Sequence, residues 1–92
     1  MDDFLKGMPK SISIKVTFGE NLQKFTKNPG HPVVMSEGVN FGFLLQSVFM
    51  EYPEIKEKCK PRELEFTING YSPKIHSPLF DGDEVYFESV NK

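Results

Sequence analysis

The chain has 92 residues, with 11 basic and 13 acidic side chains, a formal net charge of −2 and 38% hydrophobic residues; that length fits one small domain. No block of like charge points to nucleic acid or an anionic membrane. The single cysteine, Cys59, excludes an internal disulfide and any zinc or iron–sulfur centre ligated by several cysteines of this chain, and fits a reducing, cytoplasmic setting.

Residues 1–10 mix Phe4, Leu5 and Met8 with charges, Gly7 and Pro9 and show no period, so they read as a flexible N-terminal tail, not a secretory signal. From Ser11 to Phe18 the pattern alternates, with Ile12, Ile14, Val16 and Phe18 on one face, which predicts a half-buried strand. Glu20 to Phe25 fits a short helical turn, and Asn28-Pro29-Gly30 turns the chain back into a second strand, His31 to Ser36.

Phe41, Leu44, Leu45, Val48, Phe49 and Tyr52 recur at helical spacing, which predicts a core-facing helix with Asn40 as N-cap and an end or bend at Pro53. The apolar run Phe41 to Met50 is about half of what a membrane span needs, and it contains Gly42, Gln46 and Ser47. A third strand carries Leu64, Phe66 and Ile68 and ends at Asn69-Gly70, a tight-turn signal. A short arm, Tyr71 to Ile75, the turn Asp81-Gly82-Asp83 and a last strand, Glu84 to Val90, complete the order. The expected fold is α+β: a β-grasp over residues 11–92, with one mixed four- to five-stranded sheet covered by one main helix.

No catalytic or metal-binding constellation stands out, so the chain is expected not to be an enzyme and to carry no cofactor. His31 and His76 lie near no Cys or spaced Glu and read as surface-loop histidines. Asp81, Asp83 and Glu84 offer too few oxygens for calcium and read as a solvated turn. Cys59 has cationic neighbours, Lys58 and Lys60, but no base beside it. Lys56, Lys58, Lys60 and Arg62 form the one basic cluster, suited to a helix C-terminus or to an acidic protein partner.

Three stretches then carry a family resemblance. Glu51-Tyr52-Pro53-Glu54-Ile55, Ile68-Asn69-Gly70 and Ser77-Pro78-Leu79-Phe80-Asp81-Gly82-Asp83-Glu84-Val85 resemble, in order and spacing, motifs of the small ubiquitin-like sulfur carriers. These are the molybdopterin synthase small subunit (MoaD), the thiamine-pathway carrier (ThiS) and the ubiquitin-related modifier. Val16-Thr17-Phe18-Gly19 with Leu22 is similar to the start of the last of these. The resemblance implies partners such as a ubiquitin-activating-type adenylyltransferase or a MoaE-like synthase subunit.

It also implies a C-terminal Gly-Gly whose carboxylate is adenylated and converted to a thiocarboxylate, since glycine alone lets extended backbone enter a narrow cleft. Laid out from Asp81-Gly82-Asp83 without a gap, the comparison runs to Lys92 and stops where those glycines would begin. The expectation is therefore a non-enzymatic protein-binding module, monomeric, with no nucleic-acid or membrane partner. The alternatives are a genuine carrier in molybdopterin, thiamine or tRNA-thiolation chemistry whose glycines are missing from this chain, and a TGS-like β-grasp associated with nucleotides or RNA. With Val85 and Phe87 inward, Tyr86, Glu88 and Val90 point outward, and with Asn91 and Lys92 they are the candidate protein-binding residues.

Overall fold

A computed structural model describes residues 10–90; the expected tail up to Pro9, and Asn91 and Lys92, lie outside the described residues. Strand β1 (Ser11–Phe18) buries every second residue, as its strict alternation requires. It pairs antiparallel with β2 (Gly30–Ser36) on one side and parallel with β4 (Glu84–Ser89) on the other. β3 (Leu64–Ile68) runs antiparallel to β4, so the mixed sheet has the order β2-β1-β4-β3. The two central strands are the most completely buried on the inner face: Ile14, Val16, Phe18, Val85 and Phe87 are each at most 1% exposed.

Helix α1 (Glu20–Thr26) follows β1 directly and stops where Lys27 takes a left-handed conformation, its N–H donating to the Gln23 carbonyl. Helix α2 (Phe41–Glu51) begins at Asn40, whose side-chain oxygen accepts the Phe43 N–H at 3.0 Å. This satisfies one of the donors left over at a helix start. Pro53 has no N–H to continue α2; it sits instead in the first turn of a new short helix, α3 (Pro53–Lys58), the position proline tolerates best. A 3-10 turn, Pro61–Glu63, leads into β3.

The inner face of the sheet is covered mainly by α2. Phe41, Leu44 and Val48 are buried against it, as are Leu22 of α1 and Ile55 of α3. Phe18, Phe87 and Phe66 are register neighbours across three adjacent strands. Their rings meet edge to face, 6.0 Å and 5.2 Å between centroids, the geometry that the aromatic quadrupole favours. The helix stripe is narrower than its spacing suggests: Leu45, Phe49 and Tyr52 are only half-buried, Leu45 and Phe49 lining a cleft beside Leu64 and Phe66 and Tyr52 reaching toward Phe18 and His31.

The expected count of four to five strands resolves at four among the described residues. The arm after Asn69-Gly70 makes only an isolated bridge from Tyr71 back to Ile68; Pro73 has no N–H for a ladder, and Tyr71 and Ile75 are exposed. The covering layer is one main helix and two shorter ones. Gly42, in the first turn of α2, has a packing reason. A Cβ there would come within 3.0 Å of the Ile75 side chain and 3.1 Å of the Ile75 carbonyl, which accepts the Gly42 N–H at 2.7 Å.

Candidate functional site

The solvent side of the sheet is built from the residues that alternate with the core. Tyr86 of β4 lies at its centre, with Thr17 of β1 as its register partner on one side and Thr67 of β3 on the other. Its ring stands 41% exposed on a surface whose neighbours are short, so a large apolar body with a polar tip projects from the middle of the face. Lys15 stands opposite Glu84, one step toward the start of β4. Val34, exposed on β2 and paired with Ser13, adds apolar area at the far edge.

Beyond Tyr86, Glu88 of β4 stands directly opposite Glu65 of β3. Like charges in that position repel. Glu88 is held in place all the same: one carboxylate oxygen accepts its neighbour Ser89's N–H at 2.7 Å, and the other stands 3.5 Å from the Tyr86 hydroxyl. The Tyr86 hydroxyl is pushed above its ordinary value of 10.0, first by burial of the ring's tip and then by the negative charge of Glu88 and Glu65. Like any phenol hydroxyl at neutral pH it can donate as well as accept a hydrogen bond.

Val90 is 47% exposed just past the end of β4, and its N–H donates to the Glu63 carbonyl at 2.7 Å. The end of the strand is also tied from α1, where the Asn21 amide donates to the Ser89 carbonyl at 2.9 Å. Tyr86, Glu88 and Val90 thus share one face, and Asn91 and Lys92 lie outside the described residues. The sequence reading missed Thr17, Thr67 and Glu65 as the immediate surroundings of Tyr86. Register carries that information, and register joins segments far apart in the chain.

The remaining chemistry-bearing residues take structural places. His31 is not in a loop: it lies on β2, half-buried, its Nε2 2.9 Å from the Tyr52 hydroxyl and 3.6 Å from a Glu51 carboxylate oxygen. Tyr52 also accepts the Asn28 amide at 3.1 Å and packs edge to face on Phe18, so this group ties the end of α2 to the α1–β2 connection and the start of β2. The turn carboxylates are hydrogen-bonded, not merely solvated. Asp81 accepts the Ser13 N–H at 2.7 Å, and Asp83 accepts the Phe80 N–H at 2.8 Å and the Asn69 amide at 3.0 Å. Cys59 is buried in the core. Among the described residues no three His, Cys, Asp or Glu side chains come together as a metal site, and no helix is long and apolar enough to cross a membrane.

No family model and no curated protein sequence matches the chain. Solved structures do. A putative molybdopterin converting factor subunit 1 from Pyrococcus furiosus superimposes with a TM-score of 0.76 at 17% identity, covering 85% of this chain and 97% of its own. Small archaeal modifier protein 1 from Methanosarcina acetivorans gives 0.70 at 21% identity, with 90% and 97% covered. Urm1 from Trypanosoma brucei gives 0.65 at 21% identity, with 89% and 95% covered. The likeness spans nearly the whole of each chain and establishes the ubiquitin-like β-grasp fold.

Proposed function

We propose that this ubiquitin-fold chain is a non-enzymatic protein-binding module of the cytoplasm that docks through the outer face of its sheet. Tyr86 is the anchor, Glu88 and Val90 flank it, and Asn91 and Lys92 extend the contact. The supporting observation is the place of Tyr86. A large exposed ring stands at the centre of a sheet face between two threonines, the kind of residue on which interfaces concentrate their energy. Tyrosine also presents this area with few rotatable bonds to immobilise. The partner classes in view are a ubiquitin-activating-type adenylyltransferase and a MoaE-like synthase subunit.

The test is calorimetric titration of the protein with those two enzymes from its own organism, beside its Tyr86→Ala variant. Tyr86→Ala should weaken binding by at least about tenfold and leave the melting temperature nearly unchanged. Equal binding by both would remove the sheet face from the proposal.

A second reading is favoured by one observation: the structures it resembles are described as a molybdopterin converting factor subunit and as small modifiers. On that reading the protein is itself a sulfur carrier or modifier, consumed and regenerated by partner enzymes. Intact mass of the protein from its native source, followed by incubation with the activating enzyme and ATP, separates the two. A mass extended by Gly-Gly with adenylate formation establishes the carrier; a mass ending at Lys92 and inert to ATP leaves the binding module.

A further inference from the structure

One strand away from Tyr86, the β3 side of the sheet brings together an unpaired strand edge and, on the inner face, an apolar cleft. β3 is a terminal strand of the sheet. The Val90 N–H donates to the Glu63 carbonyl and the Asn69 N–H to the Glu84 carbonyl. By the alternation of an antiparallel ladder, the odd-numbered residues of β3 therefore face β4. The backbone N–H and C=O of Leu64 and Phe66 face away from it. Ile68 finds a partner on that side, donating to the Tyr71 carbonyl, but the bridge goes no further along β3 and among the described residues no strand covers Leu64 to Phe66.

This edge lacks the usual protections. It has no proline or bulge between Leu64 and Ile68; its one charge, Glu65, stands opposite Glu88 on the outer face. A shallow trough runs along the edge, lined by Leu64, Glu65, Phe66, Thr67, Ser72 and Pro73, so the carboxylate of Glu65 borders the trough while Lys56 borders the cleft. Continuous with that trough at Leu64 and Phe66 is a cleft of about 140 Å³ beneath α2, walled by Leu45 and Phe49 and closed at its floor by Cys59. Lys56 of α3 stands at the rim, the one charged residue lining the cleft, and the same lysine borders the next hollow along α2, beside the strongly exposed Met50.

We infer that this edge and cleft form a docking site for an extended peptide segment of a partner protein, which adds a strand beside β3, seats one large apolar side chain in the cleft and places a carboxylate next to Lys56. Each part of the occupant follows from a part of the surface. Leu64 and Phe66 offer the alternating donors and acceptors that a strand needs. The cleft between Phe49 and Phe66 is apolar and of side-chain size. The lone cation at its mouth selects an acidic neighbour over a basic one. The site borders the Tyr86 face at Thr67 and Glu65, but its pairing edge and cleft do not include Tyr86 and do not depend on that face binding anything.

The test uses a capped synthetic peptide of about six residues, the usual length of a strand, with valine and threonine around a central phenylalanine followed two positions later by aspartate. It is titrated into the isotope-labelled protein and read by amide chemical shifts. Saturable shifts at Leu64 and Phe66, with slowed amide exchange at both, support the site. A peptide with alanine for phenylalanine, and one N-methylated at the pairing amides, should each bind at least roughly tenfold more weakly. Lys56→Glu, a substitution on an exposed side chain, should weaken the acidic peptide but favour its lysine counterpart. Shifts centred on Tyr86, no shift at all, equal binding by wild type and Lys56→Glu, or a concentration-dependent dimer that closes the β3 edge with a second copy would each overturn it.

Discussion

The carboxylate of Glu88 lies over Gly19, in the space that a side chain at position 19 would fill. Gly19 has an ordinary extended backbone, φ −67° and ψ 165°, so glycine is required there for room and not for conformation. Its N–H meets the Phe87 carbonyl at 2.7 Å, which fixes the backbone close under β4. Gly19→Ala should therefore expel the Glu88 side chain and release its bond to the Ser89 N–H, at a cost of about 1 kcal/mol. In Glu88→Ala the same glycine substitution should cost almost nothing. Denaturant unfolding of the two single variants and the double variant measures the coupling; additive costs would show that the two residues do not compete for space.

Leu44 and Phe49 share the apolar stripe of α2 but not its burial. Leu44 is 0% exposed, whereas Phe49 is half-buried and walls the cleft beside β3. Leu44→Ala leaves a cavity in the core and should cost roughly 2–5 kcal/mol. Phe49→Ala removes the larger side chain, yet opens a cleft already in contact with water and should cost less. Thermal unfolding of the pair orders them, and the reverse order would place the core's centre further along α2.

Local signals made much of this fold legible. The strict alternation from Ser11 to Phe18, the Asn40 cap and the Asn69-Gly70 turn act over a few residues, and each appears as the sequence implied. What failed depended on distant partners. The arm from Tyr71 to Ile75 has strand-forming residues, but its end is tied to the start of α2, where the Ile75 carbonyl accepts the Gly42 N–H at 2.7 Å and the Ser77 carbonyl the Phe41 N–H at 2.8 Å. His31 opens the expected second strand, but it read as a surface residue because its partner, Tyr52, lies 21 positions away. Of the candidate site, the outward direction of Tyr86, Glu88 and Val90 could be read from period two. The opposition of Glu88 to Glu65 could not, since it needs the register of two strands joined by a long loop.

Tyr86 gives a pH dependence with a definite sign. Its hydroxyl is raised above 10.0 in the folded chain by burial and by the charges of Glu88 and Glu65. As pH rises past that value the unfolded chain gives up this proton before the folded one, so the folded state binds more protons and loses stability with rising pH. Below the ordinary value this group contributes no slope. Because the ring is well exposed the effect is small and shrinks with added salt. Ultraviolet titration of tyrosinate in a Tyr52→Phe, Tyr71→Phe background isolates Tyr86. Glu65→Gln should move its midpoint down, and a midpoint unmoved by that change would mean that solvent screens the pair completely.

Asn69 does two things at once, and the two are separable. It holds a left-handed backbone, φ 51°, which asparagine tolerates better than most residues. Its side chain also spans to the start of β4, donating to Asp83 at 3.0 Å and accepting the Glu84 N–H at 2.9 Å. Asn69→Ala loses both roles and should cost about 2–3 kcal/mol. Asn69→Gly keeps the backbone freedom and loses only the bonds, so it should cost about 1 kcal/mol. If glycine were as stable as asparagine, the bonds to Asp83 and Glu84 would contribute nothing. If glycine were as damaging as alanine, those bonds, and not the turn conformation, would set the register of β3 against β4.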